Sequence, residues 1–197
     1  MKCVPILSVT KLFPWQAFAN DPQYCEKIAL RSSQGDVFTW GEIGQKINQT
    51  AVFLQNRGIT SESAVAFCGK NSESILFLYL ATIQIGAKIL GLNPAFPQEK
   101  INELCHEYAI DLCLFDKDLL GISNRSLSAV LHYEADFLRP ATMTLTSGSS
   151  GLPKAVVHHI QAHLDNARGV CQLMNFDSSQ SWLLSLPLYH VSGQGIV

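Results

Sequence analysis

The chain has 197 residues, of which 47% are hydrophobic and 15% are charged, and its formal net charge is -2. This length allows one large domain or two small ones with a substantial core, and the composition excludes a disordered chain. Because positive charge is not in excess, we expect no general basic surface for nucleic acid or acidic membranes, and small anionic ligands would have to be held locally.

Cysteine usage and hydropathy indicate a cytosolic protein without a membrane span. The six cysteines show no CxxC pair and no regular spacing, so we expect reduced, mostly buried thiols. Near the N-terminus, Lys11 breaks a short apolar run before it is long enough for a signal peptide. The apolar stretch 75–92 is interrupted by polar residues and glycines, whereas a span needs about 20 apolar residues. We therefore expect a buried helix followed by a buried strand there.

The first part of the chain predicts an arm and a hairpin. Pro14 and the aromatic residues around it suggest a packed N-terminal arm with a short helix. Residues 27–31 and 36–40 have the composition of two strands joined about Gly35, which predicts a β-hairpin.

A helix follows the hairpin. Thr39 and Glu42 have the spacing of a capping box, and Gly58 is placed to end the helix. The apolar face of this helix is marked by Ile43, Ile47, Ala51 and Leu54.

Strands and helices alternate after residue 63. The β-rich runs are 64–68, 87–92 and 111–115. The intervening helical patterns are 72–85 and a second helix for which Pro97 is a plausible first residue. Strands separated by helices of this length imply βαβ units and a mainly parallel sheet.

The region from residue 116 to residue 140 is less regular. It holds a predicted strand at 129–133 and a break at Arg139-Pro140. Beyond residue 159 the pattern predicts a helix at 160–174, a strand at 182–186 and a loop that begins at Pro187. No internal repeat or low-complexity tract is present.

Residues 143–159, MTLTSGSSGLPKAVVHH, combine two apolar strand-like runs with a loop suited to an anion. Gly148 and Gly151 lack a Cβ and allow backbone N–H groups to converge on one point. Lys154 adds a positive charge. Further donors are the hydroxyl groups of Thr146, Ser147, Ser149 and Ser150. The loop therefore predicts a phosphate site.

Two other interpretations of this loop are less well supported. A Gly/Ser-rich run is often a flexible linker, but strand-like residues bracket this one closely and it ends in Pro153 and Lys154. It is also not a Walker A loop, which needs Gly before the lysine and Ser or Thr after it. Here Ala155 follows the lysine.

The loop sequence TSGSSGLPK resembles the phosphate-loop signature of the adenylate-forming acyl-CoA ligases, a superfamily that includes luciferases and the adenylation domains of peptide synthetases. Many members have Thr where this chain has Ser150, a difference that keeps the hydroxyl group. Residues 39–43 and the two short stretches 86–87 and 92–94 are similar to earlier motifs of the family. Residues 182–197, WLLSLPLYHVSGQGIV, resemble its motif with a proline, an aromatic residue and a histidine against the acyl pocket.

The resemblance implies an α/β fold with a mainly parallel sheet flanked by helices, as in the N-terminal subdomains of adenylate-forming enzymes. Residues 1–197 would be the N-terminal portion of the large adenylation domain. The stretch of about 1–60 would hold the arm, hairpin and helix, 61–140 the βαβ region, and 141–197 the phosphate loop and the start of the acyl-pocket region. Full-length members are much longer, so we expect the C-terminal domain to be absent and this chain alone to be inactive.

The implied reaction has two steps. A carboxylate attacks the α-phosphorus of ATP to give an acyl adenylate and pyrophosphate, and the thiol of coenzyme A then displaces AMP. Residues 146–151 would cradle the β and γ phosphates, Lys154 would act as a mobile catalytic charge, and Mg²⁺ would neutralise the remaining charge. The first-choice acid is 2-succinylbenzoate of menaquinone biosynthesis, ahead of other aryl or fatty acids.

The resemblance also gives roles to the loop that follows Pro187. His190 is the second catalytic candidate, which would line the substrate pocket or gate the approach of the thiol. Tyr189, Ser192 and Gly193 are further candidates for substrate binding, with packing as the alternative. A rival function is a non-catalytic nucleotide-binding or interaction module that kept the phosphate loop.

No metal site is predicted from protein side chains. His158, His159 and His163 are close in sequence, but they have no HExxH pattern and no convincing further ligand. The oligomeric state is open, and a homo-oligomer is compatible with the exposed face that a missing half would leave.

Overall fold

The computed structural model describes residues 11–119, 122, 134–146, 151–177, 179–195 and 197. Their elements in chain order are α1 (Pro14–Asn20), β1 (Ile28–Arg31), β2 (Val37–Thr39), α2 (Trp40–Gln55), β3 (Ala64–Cys68), α3 (Glu73–Gln84), β4 (Lys88–Leu92), α4 (Gln98–Glu107), β5 (Leu112–Phe115), α5 (Asp116–Leu119), β6 (Pro140–Leu145), β7 (Ala155–His159), α6 (Ile160–Met174) and α7 (Val191–Gln194).

The central sheet has the strand order β5-β3-β4-β6-β7. Strands β3, β4, β5 and β6 pair in parallel, and β7 pairs antiparallel with β6. The predicted α/β fold with a mainly parallel sheet is confirmed. The predicted hairpin is confirmed as well, because β1 and β2 form a separate antiparallel pair.

Strand β3 shows how the sheet is covered on both faces. All five of its residues are buried, and alternate side chains enter different apolar clusters because successive side chains of a strand point to opposite faces. Val65 and Phe67 join the cluster that includes residues of α2 and α3, whereas Ala66 and Cys68 join the cluster of α4. Helices therefore flank both faces, which explains the continuous apolar pattern of the strand.

Helix α2 forms as its sequence predicts. The Thr39 hydroxyl accepts from the backbone N–H of Glu42, and the Glu42 carboxylate accepts from the backbone N–H of Thr39, which is a complete capping box. The predicted apolar face is buried, and Gly58 has a φ of +80° just beyond the helix.

The apolar stretch 75–92 is divided between α3 and β4, so the predicted buried helix and strand are confirmed. Gln84, which interrupts the stretch, is only 2% exposed and accepts from the indole N–H of Trp15 at 3.0 Å. This bond also attaches the N-terminal arm to the core. In the part of the chain that the structure describes, no helix has the length and hydropathy that a membrane span requires.

Several predictions of local structure need correction. The strand predicted at 182–186 is wrong, because this segment pairs with no strand among the described residues. The side chain of Asn71 binds the carbonyl oxygens of Leu184 and Leu186 instead. Pro97 is the residue before α4 rather than its first residue. The strand predicted at 129–133 lies outside the described residues.

The cysteines are less buried than predicted. The five described cysteines are free thiols, but Cys68 alone is buried and the other four are half-buried.

The break at Arg139-Pro140 is confirmed as the start of β6. The Arg139 guanidinium donates to the carbonyl oxygens of Gly86 at 2.9 Å and Ser61 at 2.6 Å, and it pairs with the Glu62 carboxylate. These bonds connect the amino-terminal ends of β3, β4 and β6. The Arg139 guanidinium also lowers the pKa of Glu62.

Helix α6 contacts the sheet through a half-buried histidine. The His163 Nε2 lies 2.8 Å from the Thr142 hydroxyl of β6, and its ring is 5.7 Å from the ring of His158. Burial lowers the pKa of His163, and the nearby His158 and His159 act in the same direction. Tyr79 also faces Thr142, but burial raises the pKa of its phenol, so it stays neutral.

Protonation of His163 should destabilise the fold. The folded state favours the neutral ring, so the unfolded chain takes up a proton first as the pH falls through about 6.5. We expect the midpoint of thermal unfolding to fall between about pH 7.5 and about pH 5.5. His163→Gln keeps a hydrogen-bonding group without a titrating ring and should show a smaller fall, whereas His106→Gln, at an exposed position, should behave as the parent. An equally steep fall in His163→Gln would contradict this role.

Candidate functional site

The site is expected where the parallel strands end. Strands β3, β4 and β6 run in the same direction, so their carboxyl ends lie at one edge of the sheet. In open α/β sheets, ligands bind in the crevice outside this edge. The segment that contains Asn71 follows β3, and the predicted phosphate loop follows β6.

The phosphate loop, residues 146–154, is the connection of the β6–β7 hairpin. At its base the backbone N–H of Thr146 donates to the carbonyl oxygen of Lys154 at 2.8 Å, and the Thr146 hydroxyl donates to the same oxygen at 3.1 Å. Gly151 has a φ of +111°, a conformation that favours glycine. The other predicted phosphate-binding residues, Ser147, Gly148, Ser149 and Ser150, lie outside the described residues.

Lys154 is exposed at the end of this loop, and it forms no ion pair with any residue that the structure describes. Its backbone is held from both sides by one hydroxyl group. Tyr108, at the end of α4, donates to the carbonyl oxygen of Pro153 at 2.5 Å and accepts from the backbone N–H of Ala155 at 3.1 Å. The charge of Lys154 is thus available to an anion, on a restrained backbone.

The second part of the site is the PLYH segment, defined as residues 184–195. It packs directly on β4, since a Cβ at Gly91 would clash with the Cα of Tyr189. Leu188 is completely buried in the cluster of α2 and α3. The absence of a side chain at Gly91 therefore allows the backbone next to His190 to lie against the end of the strand.

The side chain of Asn71 fixes the start of this segment through three hydrogen bonds. Its Nδ2 donates to the carbonyl oxygens of Leu184 at 3.3 Å and Leu186 at 2.9 Å, and its Oδ1 accepts from the backbone N–H of Leu188 at 2.9 Å. One amide group thus positions the backbone that leads to Tyr189 and His190.

His190 is exposed and lies at the start of α7. Its Nδ1 accepts from the backbone N–H of Ser192 at 3.4 Å and lies 2.9 Å from the Ser192 hydroxyl. A neutral imidazole that accepts at Nδ1 carries its proton on Nε2. The ring can therefore present an N–H donor to a ligand, and Ser192 orients it.

Two residues after Ser192, a buried glutamine connects the PLYH segment to β6. Gln194 is 2% exposed, its Oε1 accepts from the Thr144 hydroxyl at 2.9 Å, and its Nε2 donates to the carbonyl oxygen of Leu188 at 3.3 Å. Gly193 is buried, and a Cβ there would clash with the carbonyl group of Pro187. Close packing explains this glycine, and its part in substrate binding stays a prediction.

The structure thus places Thr146, Gly151 and Lys154 on the phosphate loop, at the carboxyl end of β6. Tyr189 and His190 lie on the PLYH segment, at the carboxyl end of β4. Their roles stay predictions. Sequence reasoning missed Asn71, Tyr108 and Gln194. Their partners are as far as 117, 47 and 50 residues away, so no local pattern marked them. The sequence contained one indication of such a role, the position of Asn71 just after a buried strand.

The histidines and cysteines have structural explanations. The His159 Nδ1 accepts from the backbone N–H of Ala162 and caps α6. No group of three or more histidine, cysteine, aspartate or glutamate side chains in the described ranges could hold a metal ion. Burial raises the pKa of Cys113 to about 12 and also raises the pKa of Cys68 and Cys105. These three thiols are therefore protonated, which disfavours them as nucleophiles.

Comparisons with known proteins show to which family the chain belongs. A family model described as AMP-binding enzyme matches residues 16–197. The chain is 68% identical over 186 residues to 2-succinylbenzoate-CoA ligase of Haemophilus influenzae, which covers 94% of this chain and 40% of that protein. It is 37% identical over 178 residues to the Escherichia coli protein of the same name, covering 87% of this chain and 39% of the relative. The chain thus spans about 40% of the length of these relatives.

Solved structures share the fold. A single-residue variant of Escherichia coli MenE with bound OSB-AMS matches with a TM-score of 0.78 at 33% identity, covering 93% of this chain and 42% of that chain. MenE from Bacillus subtilis in complex with ATP and magnesium ion has a TM-score of 0.78 at 19% identity, covering 87% of this chain and 50% of that chain. At this lower identity the likeness shows the fold alone. Because the family model extends over residues 16–197, the chain belongs to the AMP-binding enzyme family.

Proposed function

We propose that the protein of this sequence takes part in the ATP-dependent ligation of 2-succinylbenzoate to coenzyme A in menaquinone biosynthesis, as an AMP-forming acid-CoA ligase. The observation that carries this function is the 68% identity, over 94% of the chain, to a 2-succinylbenzoate-CoA ligase. The match to Escherichia coli MenE with bound OSB-AMS supports the same acid. The geometry is consistent with it, because a basic loop and a histidine-bearing segment lie on neighbouring strands.

The first step forms the acyl adenylate. A carboxylate oxygen of the acid attacks the α-phosphorus of ATP, the new O–P bond forms, and the bond to the β-phosphate oxygen breaks to release pyrophosphate. Catalysis of such a step depends on positioning and charge stabilisation. Residues 146–151 would hold the β and γ phosphates, and Lys154 would place its ammonium against them. Each charged hydrogen bond contributes about 1.5–3 kcal/mol.

Magnesium is proposed only as a partner of the ATP phosphates. The described residues include no cluster of three or more candidate metal ligands, and Mg²⁺ at nucleotide sites needs few protein ligands when phosphates bind it. Bound to the phosphates, Mg²⁺ would neutralise part of their negative charge.

The second step forms the thioester. The thiol of coenzyme A loses its proton to solvent and its sulfur attacks the acyl carbon. The C–S bond forms, and the C–O bond to AMP breaks, with AMP leaving as the phosphate anion. His190 would line the acyl pocket and donate from Nε2 to an acyl or thioester oxygen. Tyr189 would line that pocket, and Ser192 would act through His190, to whose Nδ1 it is bound.

Replacement of Lys154 by alanine in the full-length protein should weaken the first step. Loss of about 1.5–3 kcal/mol of charged contact corresponds to a fall of about 10- to 150-fold in succinylbenzoate-dependent exchange of pyrophosphate into ATP. Lys27→Ala, which changes an exposed lysine that contacts the ring of Tyr24, serves as the matched control. Exchange that occurs with fatty acids and never with succinylbenzoate would show that the acid is assigned wrongly.

The rival function is tested on this chain alone. We expect little or no ligase activity from residues 1–197 by themselves. Tight binding of ATP and Mg²⁺ in calorimetry, without any further residues, would instead favour a stand-alone nucleotide-binding module.

Replacement of Asn71 by alanine should affect the acid more than ATP. Without its three hydrogen bonds the backbone of residues 184–188 is less well fixed, and Tyr189 and His190 lose their defined position. We expect kcat/KM for the acid to fall about tenfold or more, with a smaller change in KM for ATP. Asn102→Ala, at an exposed position on α4, is the control. Equal losses for both substrates would indicate general destabilisation instead.

A further inference from the structure

One tyrosine hydroxyl binds the backbone on both sides of Lys154. Tyr108 donates to the carbonyl oxygen of Pro153 and accepts from the backbone N–H of Ala155. A single atom from another helix thus bridges the residue before the lysine and the residue after it. Among the described residues, no other tyrosine hydroxyl forms hydrogen bonds to two backbone groups.

The position of Tyr108 is itself well fixed. Its ring packs beside the buried cluster that contains Ile101 and Leu104 of α4. Helix α4 ends here in a Schellman motif, in which the N–H of Ile110 donates to the carbonyl oxygen of Cys105 and Ala109 has a φ of +46°. A left-handed conformation is unfavourable for alanine, so it persists here because the surrounding contacts determine it.

The sheet itself does not require these two hydrogen bonds. In the antiparallel β6–β7 pair, Thr146 and Lys154 share a hydrogen bond, so the N–H of Ala155 points away from β6. Strand β7 is the last strand in the sheet order of the described residues, and this N–H therefore lies at an open edge. Water could bind there equally well. What the Tyr108 hydroxyl adds is a restraint on the backbone that carries Lys154.

We propose that Tyr108 is a positioning residue for the first step of the reaction, which orients Lys154 toward the β and γ phosphates of ATP. This role rests on the proposed function. A lysine side chain is long and flexible, so a fixed backbone reduces the freedom that must be lost when it meets the phosphates. The β and γ phosphates leave as pyrophosphate. The restraint therefore matters for adenylate formation and not for thioester formation.

The test is Tyr108→Phe in the full-length protein, which removes the hydroxyl and keeps the ring. We expect succinylbenzoate-dependent pyrophosphate exchange to fall about 3- to 10-fold. Thioester formation from supplied acyl adenylate and coenzyme A should be unchanged. In a Lys154→Ala background, Tyr108→Phe should cause no further loss, because the two residues act through one contact. Tyr24→Phe, remote from the loop, is the matched control.

A second readout does not depend on activity. In this chain alone, hydrogen exchange of the peptide that spans residues 152–157 should be faster in Tyr108→Phe than in the parent, since Ala155 loses its acceptor. Unchanged exchange would overturn the hydrogen-bonded restraint.

The outcomes separate this role from the proposed function. If the parent shows exchange and Lys154→Ala impairs it, but Tyr108→Phe leaves it unchanged or slows both steps equally, the positioning role is overturned. A further loss in the Lys154→Ala background also overturns it. If the full-length parent shows no exchange with any carboxylic acid, the proposed function fails, and the role of Tyr108 in it fails too.

Discussion

The parallel pairing of β4 with both β3 and β6 is the constraint on which the site depends. It brings the carboxyl ends of three strands to one edge and buries the middle strand on both faces. Ile89, Leu90 and Leu92 are completely buried, and between them Gly91 leaves room for the backbone of Tyr189. A larger residue at this point would move the PLYH segment away from the edge at which the phosphate loop begins.

The phosphate loop and the PLYH segment pack on opposite faces of the sheet. Leu152 of the phosphate loop and the adjacent Ala155 pack against the cluster of α4, whereas Leu188 of the PLYH segment belongs to the cluster of α2 and α3. Each of the two is fixed by a polar side chain from outside it, the phosphate loop by Tyr108 and the PLYH segment by Asn71. Such side chains restrain a loop while its own polar groups stay available to a ligand.

The sequence predicts those features that are encoded locally. The capping box of Thr39 and Glu42, the face of α2, the buried strand β3 and the hairpin that carries the phosphate loop all follow from residues a few positions apart. The strand expected at 182–186 fails because a strand also needs a partner, which composition does not reveal. Asn71 and Tyr108 were missed for the same physical reason. Their roles are defined by backbone groups that only the folded chain brings near.

A short, rigid piece of strand β6 connects the phosphate loop to the PLYH segment. Thr144 binds the buried Gln194, and Thr146 closes the phosphate loop two residues further along. A strand rises about 3.3 Å per residue, so these two attachments are separated by about 7 Å of stiff backbone. In the proposed reaction, bond formation between a carboxylate and the α-phosphorus needs the reacting atoms about 3–3.5 Å apart. Because both are attached to one strand, the phosphate loop and the PLYH segment move less relative to each other than two separately anchored loops would. A reaction between two bound substrates requires this restriction.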